Sequence, residues 1–157
     1  MAEASVVQEA LAECWAIEVS GLAFYEALAE RFPEHRHEAD VLAQVEKATR
    51  DLIEAVARRY EVSIDHEATE RIGVEVAQSG DDWREALENA LAFTPDTLQR
   101  FQNLADVLPE KESALGHAVI DHERAQIVLY ESVVAGEPPD WSAIDAYLER
   151  HTSGRTS

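Results

Sequence analysis

The stretch AIEVSGLAFYEALAERFPE, residues 16–34, decides how this chain folds. Its apolar residues return every three or four positions, which is the period of a helix. Extended upstream, the series places Val7, Leu11, Cys14, Leu22, Tyr25, Ala29 and Phe32 on one seam. Glu18 stands in the middle of that seam. A carboxylate inside a packed helix face is costly unless a hydrogen bond, a counter-charge or a metal ion compensates it. Pro33 ends the helix, and a second helical pattern follows at once, so the two helices are expected to be antiparallel neighbours.

The same reading predicts the rest of the chain. The first helix spans about Ser5 to Phe32, with Ser5 and Gln8 as a capping box. A second runs from about His35 to Tyr60, with Leu42, Glu46, Thr49, Ile53 and Val56 on one face. Residues 61–82 show no sustained period and end in Ser-Gly-Asp-Asp, so they read as a long crossover holding at most a helical turn or two. A third long helix, about 82–108, starts with an Asp82/Glu85 capping box and carries Leu87, Thr94, Leu98 and Phe101. Pro95 lacks an amide proton, so this helix is expected to kink or restart at 94–95. A fourth, about 110–135, carries Val119, Glu123, Gln126 and Tyr130, and a short one follows at about 140–150. The tail TSGRTS reads as frayed.

The two halves echo each other. ALAFTPDTLQRFQNLADVLPE, residues 90–110, ends like residues 16–34 in an aromatic, an apolar-Ala pair and Pro-Glu. Setting Glu18 on Thr94 places Tyr25 on Phe101, and Glu46 then corresponds to Glu123. Two short-looped helix pairs joined by a long crossover predict an all-α, antiparallel four-helix bundle, as one domain over residues 1–157.

Composition excludes several functions. There are 32 Asp+Glu against 13 Lys+Arg, a formal charge of −19, which repels phosphate backbones and anionic lipid. Nucleic acid and membranes are therefore not expected as partners. One cysteine, Cys14, rules out an internal disulfide and any four-cysteine metal site, and reads as a small buried hydrophobe. The segment MAEASVVQEALAEC is acidic and amphipathic rather than basic-then-apolar, so the expected location is cytoplasmic.

The residues E-x-x-G-x-x-F-Y (Glu18, Gly21, Phe24, Tyr25) and L-A-x-x-E (Leu42, Ala43, Glu46) resemble the ferritin-like superfamily, specifically its rubrerythrin-related branch. The resemblance covers residues 5–135. It implies a carboxylate-bridged di-iron centre inside the bundle, built from one Glu on each of two helices and Glu-x-x-His on the other two. Carried over by position, Glu18, Glu46 and Glu123 match ligands. Thr49 and Gln126 stand where the two histidines belong, and Thr94 stands where the fourth Glu belongs. No Cys-x-x-Cys pair is present, so the rubredoxin-like iron domain of full rubrerythrins is missing.

Three carboxylates carry −3, which balances one divalent ion better than two. The expected cofactor is therefore none, or one divalent metal (iron, manganese, magnesium or calcium) held by Glu18, Glu46 and Glu123 with help from Thr49, Thr94 and Gln126. The expected function is a metal-binding homologue with a degenerate site and little or no oxidase or peroxidase activity. The alternative is a metal-free, non-catalytic helical scaffold or self-association module; a homo-oligomer, a dimer, is expected under either reading. Without metal, the buried carboxylates would share protons with Thr49, Thr94 and Gln126, and Arg50 would fold back on Glu46. His35 and His37 read as solvated. His122, beside Glu123, reads as a supporting residue rather than a ligand.

Overall fold

A computed structural model of the chain describes residues 2–152. Those residues form six helices and no strand: α1 (Ala2–Arg31), α2 (Arg36–Arg59), α3 (His66–Val76), α4 (Trp83–Val107), α5 (Ser113–Val134) and α6 (Ser142–Thr152). Among them no helix is long and apolar enough to cross a membrane. Of the tail expected to fray, residues 152–157, Thr152 is the last residue of α6 and the rest lies outside the described residues.

Helix α1 is the hub, packing against α2, α3 and α4, while α5 packs against α4, α2 and α6. That arrangement explains why α1 is apolar on more than one side: Leu11, Cys14 and Leu28 are buried, and so are Trp15 and Val19. A single-turn 3₁₀ segment, Pro33–His35, joins α1 to α2, with Pro33 occupying a position that needs no amide donor. The Asp82 cap forms as expected. Its carboxylate accepts from the Glu85 amide at 2.8 Å, and Glu85 in turn accepts from the Asp81 amide at 2.8 Å.

Three expectations need correction. First, α1 begins at Ala2, so Ser5 and Gln8 do not cap it. Ser5 bonds to Glu9, and Gln8 reaches across to the carbonyl of Tyr60. Second, the crossover contains a full three-turn helix, α3, capped by Asp65. Eleven residues with Gly73 inside them are too few and too polar to show a sustained period. Gly73 has a packing reason: a Cβ there would lie 2.1 Å from the Ser20 carbonyl, so only glycine lets α3 press this closely on α1.

Third, α4 does not restart at Pro95 but runs as helix from Trp83 to Val107, with one main-chain hydrogen bond lost within it. Pro95 leaves the Leu91 carbonyl without its usual partner, and the Thr94 hydroxyl donates to that same carbonyl at 2.7 Å. The side chain thus replaces the main-chain donor that proline removes.

The core comes in two clusters. One gathers around Tyr25, Leu28, Leu42, Leu87, Leu129 and Tyr147, the other around Leu11, Cys14, Ile53, Phe101, Leu104 and Val119. On each long helix the division falls at a buried polar residue: Glu18 on α1, Glu46 and Thr49 on α2, Thr94 on α4, and His122, Glu123 and Gln126 on α5. A polar layer therefore interrupts the apolar interior at mid-length.

Candidate metal centre

Three long helices each bring one ligating side chain into this layer. Glu18 comes from α1, Glu46 from α2 and His122 from α5, and one ligating atom of each lies within 4.8 Å of the others. Glu18 is 0% exposed, His122 1% and Glu46 4%. The imidazole sits between the carboxylates, with Nδ1 3.2 Å from Glu18 Oε1 and Nε2 3.4 Å from Glu46 Oε1. Neither nitrogen makes a directed hydrogen bond, and both oxygens of Glu18 also have no donor. Buried polar atoms without partners are rare in folded proteins. Here two oxygens and two nitrogens of that kind share one spot. Carboxylate oxygen with imidazole nitrogen is a donor set that divalent first-row ions accept.

Glu46 is held from two sides. Gln126 Nε2 donates to its Oε1 at 2.6 Å. On the other side Gly21 makes room, since a Cβ there would fall 2.5 Å from Oε2. The glycine of the E-x-x-G motif is thus the hollow into which the α2 carboxylate fits.

Electrostatics follow from burial and proximity. Burial, and then the charge of Glu46, push the Glu18 carboxyl well above the ordinary carboxylate range. Burial pulls the His122 imidazole down, but Glu18 and Glu46 outweigh it and raise its affinity for a proton. For Glu46, burial is outweighed by the neighbouring His122 charge and the Gln126 hydrogen bond, so its pKa falls. Burial raises Glu123 to about 7, opposed by His122 and reinforced by Glu46. The cluster therefore holds protons as well as charge, and a bound cation would displace them.

The six residues expected at the site separate into groups. Glu18 and Glu46 lie at its centre, and Gln126 positions Glu46 rather than ligating in place of a histidine. Glu123 is buried and lines the same cavity, but it is not one of the three residues that converge. Adjacent helical residues point about 100° apart, and on α5 it is His122, not Glu123, that faces Glu18 and Glu46. Thr49 bonds elsewhere: its hydroxyl donates to the Val45 carbonyl at 3.0 Å and lies 2.5 Å from the Tyr147 hydroxyl. With the single Thr49 proton committed to Val45, Tyr147 is the donor of the second bond. Thr94 lines the cavity with its own proton committed to Leu91.

The sequence missed His122 as a member of the converging group, Tyr147 as the α6 residue that reaches the polar layer, and α3 as a wall. Arg50 does not fold back on Glu46 but pairs with Asp51 at 2.8 Å. His35 is not simply solvated, since it stacks on Trp83 with centroids 4.9 Å apart.

A cavity of about 260 Å³ reaches the cluster between α1, α3, α4 and α5. Its inner end holds Glu18, Glu46, His122, Glu123 and Gln126, and its outer rim includes Ile72 and Phe93. Compared with known proteins, the chain matches no family model, no curated protein and no solved structure.

Proposed function

We propose that this chain is a ferritin-like, rubrerythrin-related helical bundle that binds one divalent metal ion through Glu18, Glu46 and His122. It has little or no oxidase or peroxidase activity. One observation carries the reading: three ligating side chains from three helices converge in the polar layer, and Glu18 and His122 have no other hydrogen-bond partner there. Charge favours a single ion. Two carboxylates and a neutral imidazole cancel one divalent cation, whereas two ions would leave a buried excess of positive charge. The nitrogen donor narrows the expected ions towards iron or manganese and away from magnesium or calcium, which prefer all-oxygen shells. A bound ion would supply Lewis acidity. The protein's part is to hold Glu46 in place through Gln126 and Gly21, and to keep the site within an apolar surround.

Anaerobic Fe²⁺ titration followed by exposure to air tests this. One tight equivalent per chain, with no oxo-bridged di-ferric absorption band, is the expected result. Two tight equivalents with that band, or no binding at all, would overturn the reading.

A second reading rests on the position of His122 between the two carboxylates. A protonated Glu18 and an imidazolium facing an ionised Glu46 give a neutral cluster without metal. The chain would then be a metal-free scaffold, associating with itself as a homodimer. Under that reading, chelator treatment leaves thermal stability unchanged and elemental analysis finds no retained metal.

A further inference from the structure

The cavity leading to the carboxylates has features that a metal ion does not need. Phe93 and Ile72 at its rim are 58% and 56% exposed, an unusual investment of apolar surface in so acidic a chain. Ile17, Phe24 and Val76 continue that apolar wall inward, and Tyr25 and Tyr130 add aromatic faces. Helix α3 completes the wall, because the close approach allowed by Gly73 places Ile72 and Val76 beside α1. The inner end is rich in acceptors: Glu46, Glu123, and Glu18, whose oxygens make no directed hydrogen bond, with the His122 imidazole between Glu18 and Glu46. No Lys or Arg among the described residues lines the cavity.

These features select a ligand chemistry. An anion would meet three carboxylates, and the one basic side chain beside them, His122, already lies between Glu18 and Glu46. A neutral apolar molecule would fill the wall but leave Glu18 without donors, an uncompensated cost. An organic ammonium supplies three N–H donors and a positive charge at the inner end, while its apolar body covers the rim. Aromatic faces attract such cations, and the −19 charge of the chain concentrates them. The space of about 260 Å³ admits a small organic molecule.

We propose that this cavity binds a small primary ammonium compound with an apolar body, its head among Glu18, Glu46 and Glu123 and its body against Phe93 and Ile72. The ammonium head and a metal ion are drawn to the same carboxylates, so they compete. The ammonium site nonetheless stands whether or not the metal reading does.

Calorimetric titration of the chelator-treated full chain with 2-phenylethylammonium tests the proposal, with 2-phenylethanol and phenylacetate as neutral and anionic comparators. The expected result is saturable one-to-one binding of the ammonium, with both comparators at least about tenfold weaker. Glu18→Gln and Phe93→Ser should each raise the ammonium Kd by about tenfold. Phe93 is exposed, so its variant keeps the test open if Glu18→Gln fails to fold. Absence of ammonium binding, equal binding of the alcohol, or wild-type affinity in Phe93→Ser would overturn the proposal. A Mn²⁺ titration of the same Phe93→Ser sample reads the metal site separately, since this substitution leaves the metal-binding side chains in place.

Discussion

Gly21→Ala separates the site from the fold more cleanly than any substitution of a ligand. A Cβ at position 21 would lie 2.5 Å from Glu46 Oε2 and 2.8 Å from its carboxyl carbon. Ordinary van der Waals contact begins near 3.4 Å, so the carboxylate must retreat by roughly 0.9 Å. The far end of a Glu side chain can move that far, so the backbone need not. A workable metal site tolerates ligand-distance errors of only about 0.2 Å. The retreat also strains the 2.6 Å bond from Gln126. Displacing one ligand and its support should weaken metal binding by about 10–100-fold. Alanine meanwhile favours helix over glycine by about 1 kcal/mol, which offsets the local crowding. The variant should therefore keep a thermal midpoint within a few degrees of the parent while losing metal affinity. Competition against a chromogenic chelator measures the affinity, and circular dichroism melting measures the stability. Wild-type affinity in a folded Gly21→Ala protein would refute the placement of Glu46, and collapse of the fold would refute the claim that only a side-chain end must move.

Thr94→Val should destabilise the parent by about 1 kcal/mol, because the Leu91 carbonyl loses its donor. The same change should be nearly neutral in Pro95→Ala, where the restored amide takes over. Urea unfolding of the four proteins gives this coupling directly, and additivity would show that Thr94 does not serve Leu91. Tyr147→Phe removes the proton donated to Thr49 and should cost about 1 kcal/mol with no change in metal stoichiometry. A changed stoichiometry would place Tyr147 among the ligands. Burial, with the charge of Glu18, pushes the Cys14 thiol up to about 12. Its thiolate is therefore scarce at pH 8, so iodoacetamide should label native protein negligibly and denatured protein readily. Rapid labelling of the native state would contradict the burial of α1 against α4. Glu18→Gln keeps the size of the side chain but removes the charge, so it should abolish tight metal binding while the helical content measured by circular dichroism persists.

Sequence periodicity was enough to locate the four long helices to within a few residues at most ends, because each buries a face long enough to show its repeat. It was also enough to mark Glu18 and Glu46, since a carboxylate inside an apolar seam is visible in one dimension. It failed where the answer lies between helices. HE at 122–123 offers two adjacent ligating residues, and seam counting chose Glu123. Which of the two meets Glu18 and Glu46 depends on the rotation of α5 against α1 and α2, which no local pattern encodes. Thr49 and Thr94 were read as worn ligands, yet their hydroxyl protons serve carbonyls on their own helices. Pro95 suggested a break because the compensating hydroxyl lies on the preceding residue, and a repair of that kind is legible only when the geometry is seen. The wall formed by α3 was missed for a related reason: its packing signal is a glycine, which in sequence reads as interruption.

One ion held on two carboxylates and one imidazole has a spectroscopic signature, read by pulsed electron paramagnetic resonance of the Mn²⁺-loaded chain titrated to saturation. The expected result is one Mn²⁺ per chain with modulation from a single coordinated ¹⁴N, and loss of that modulation in His122→Ala. Two coupled ions per chain, or one ion with no nitrogen coupling, would contradict it.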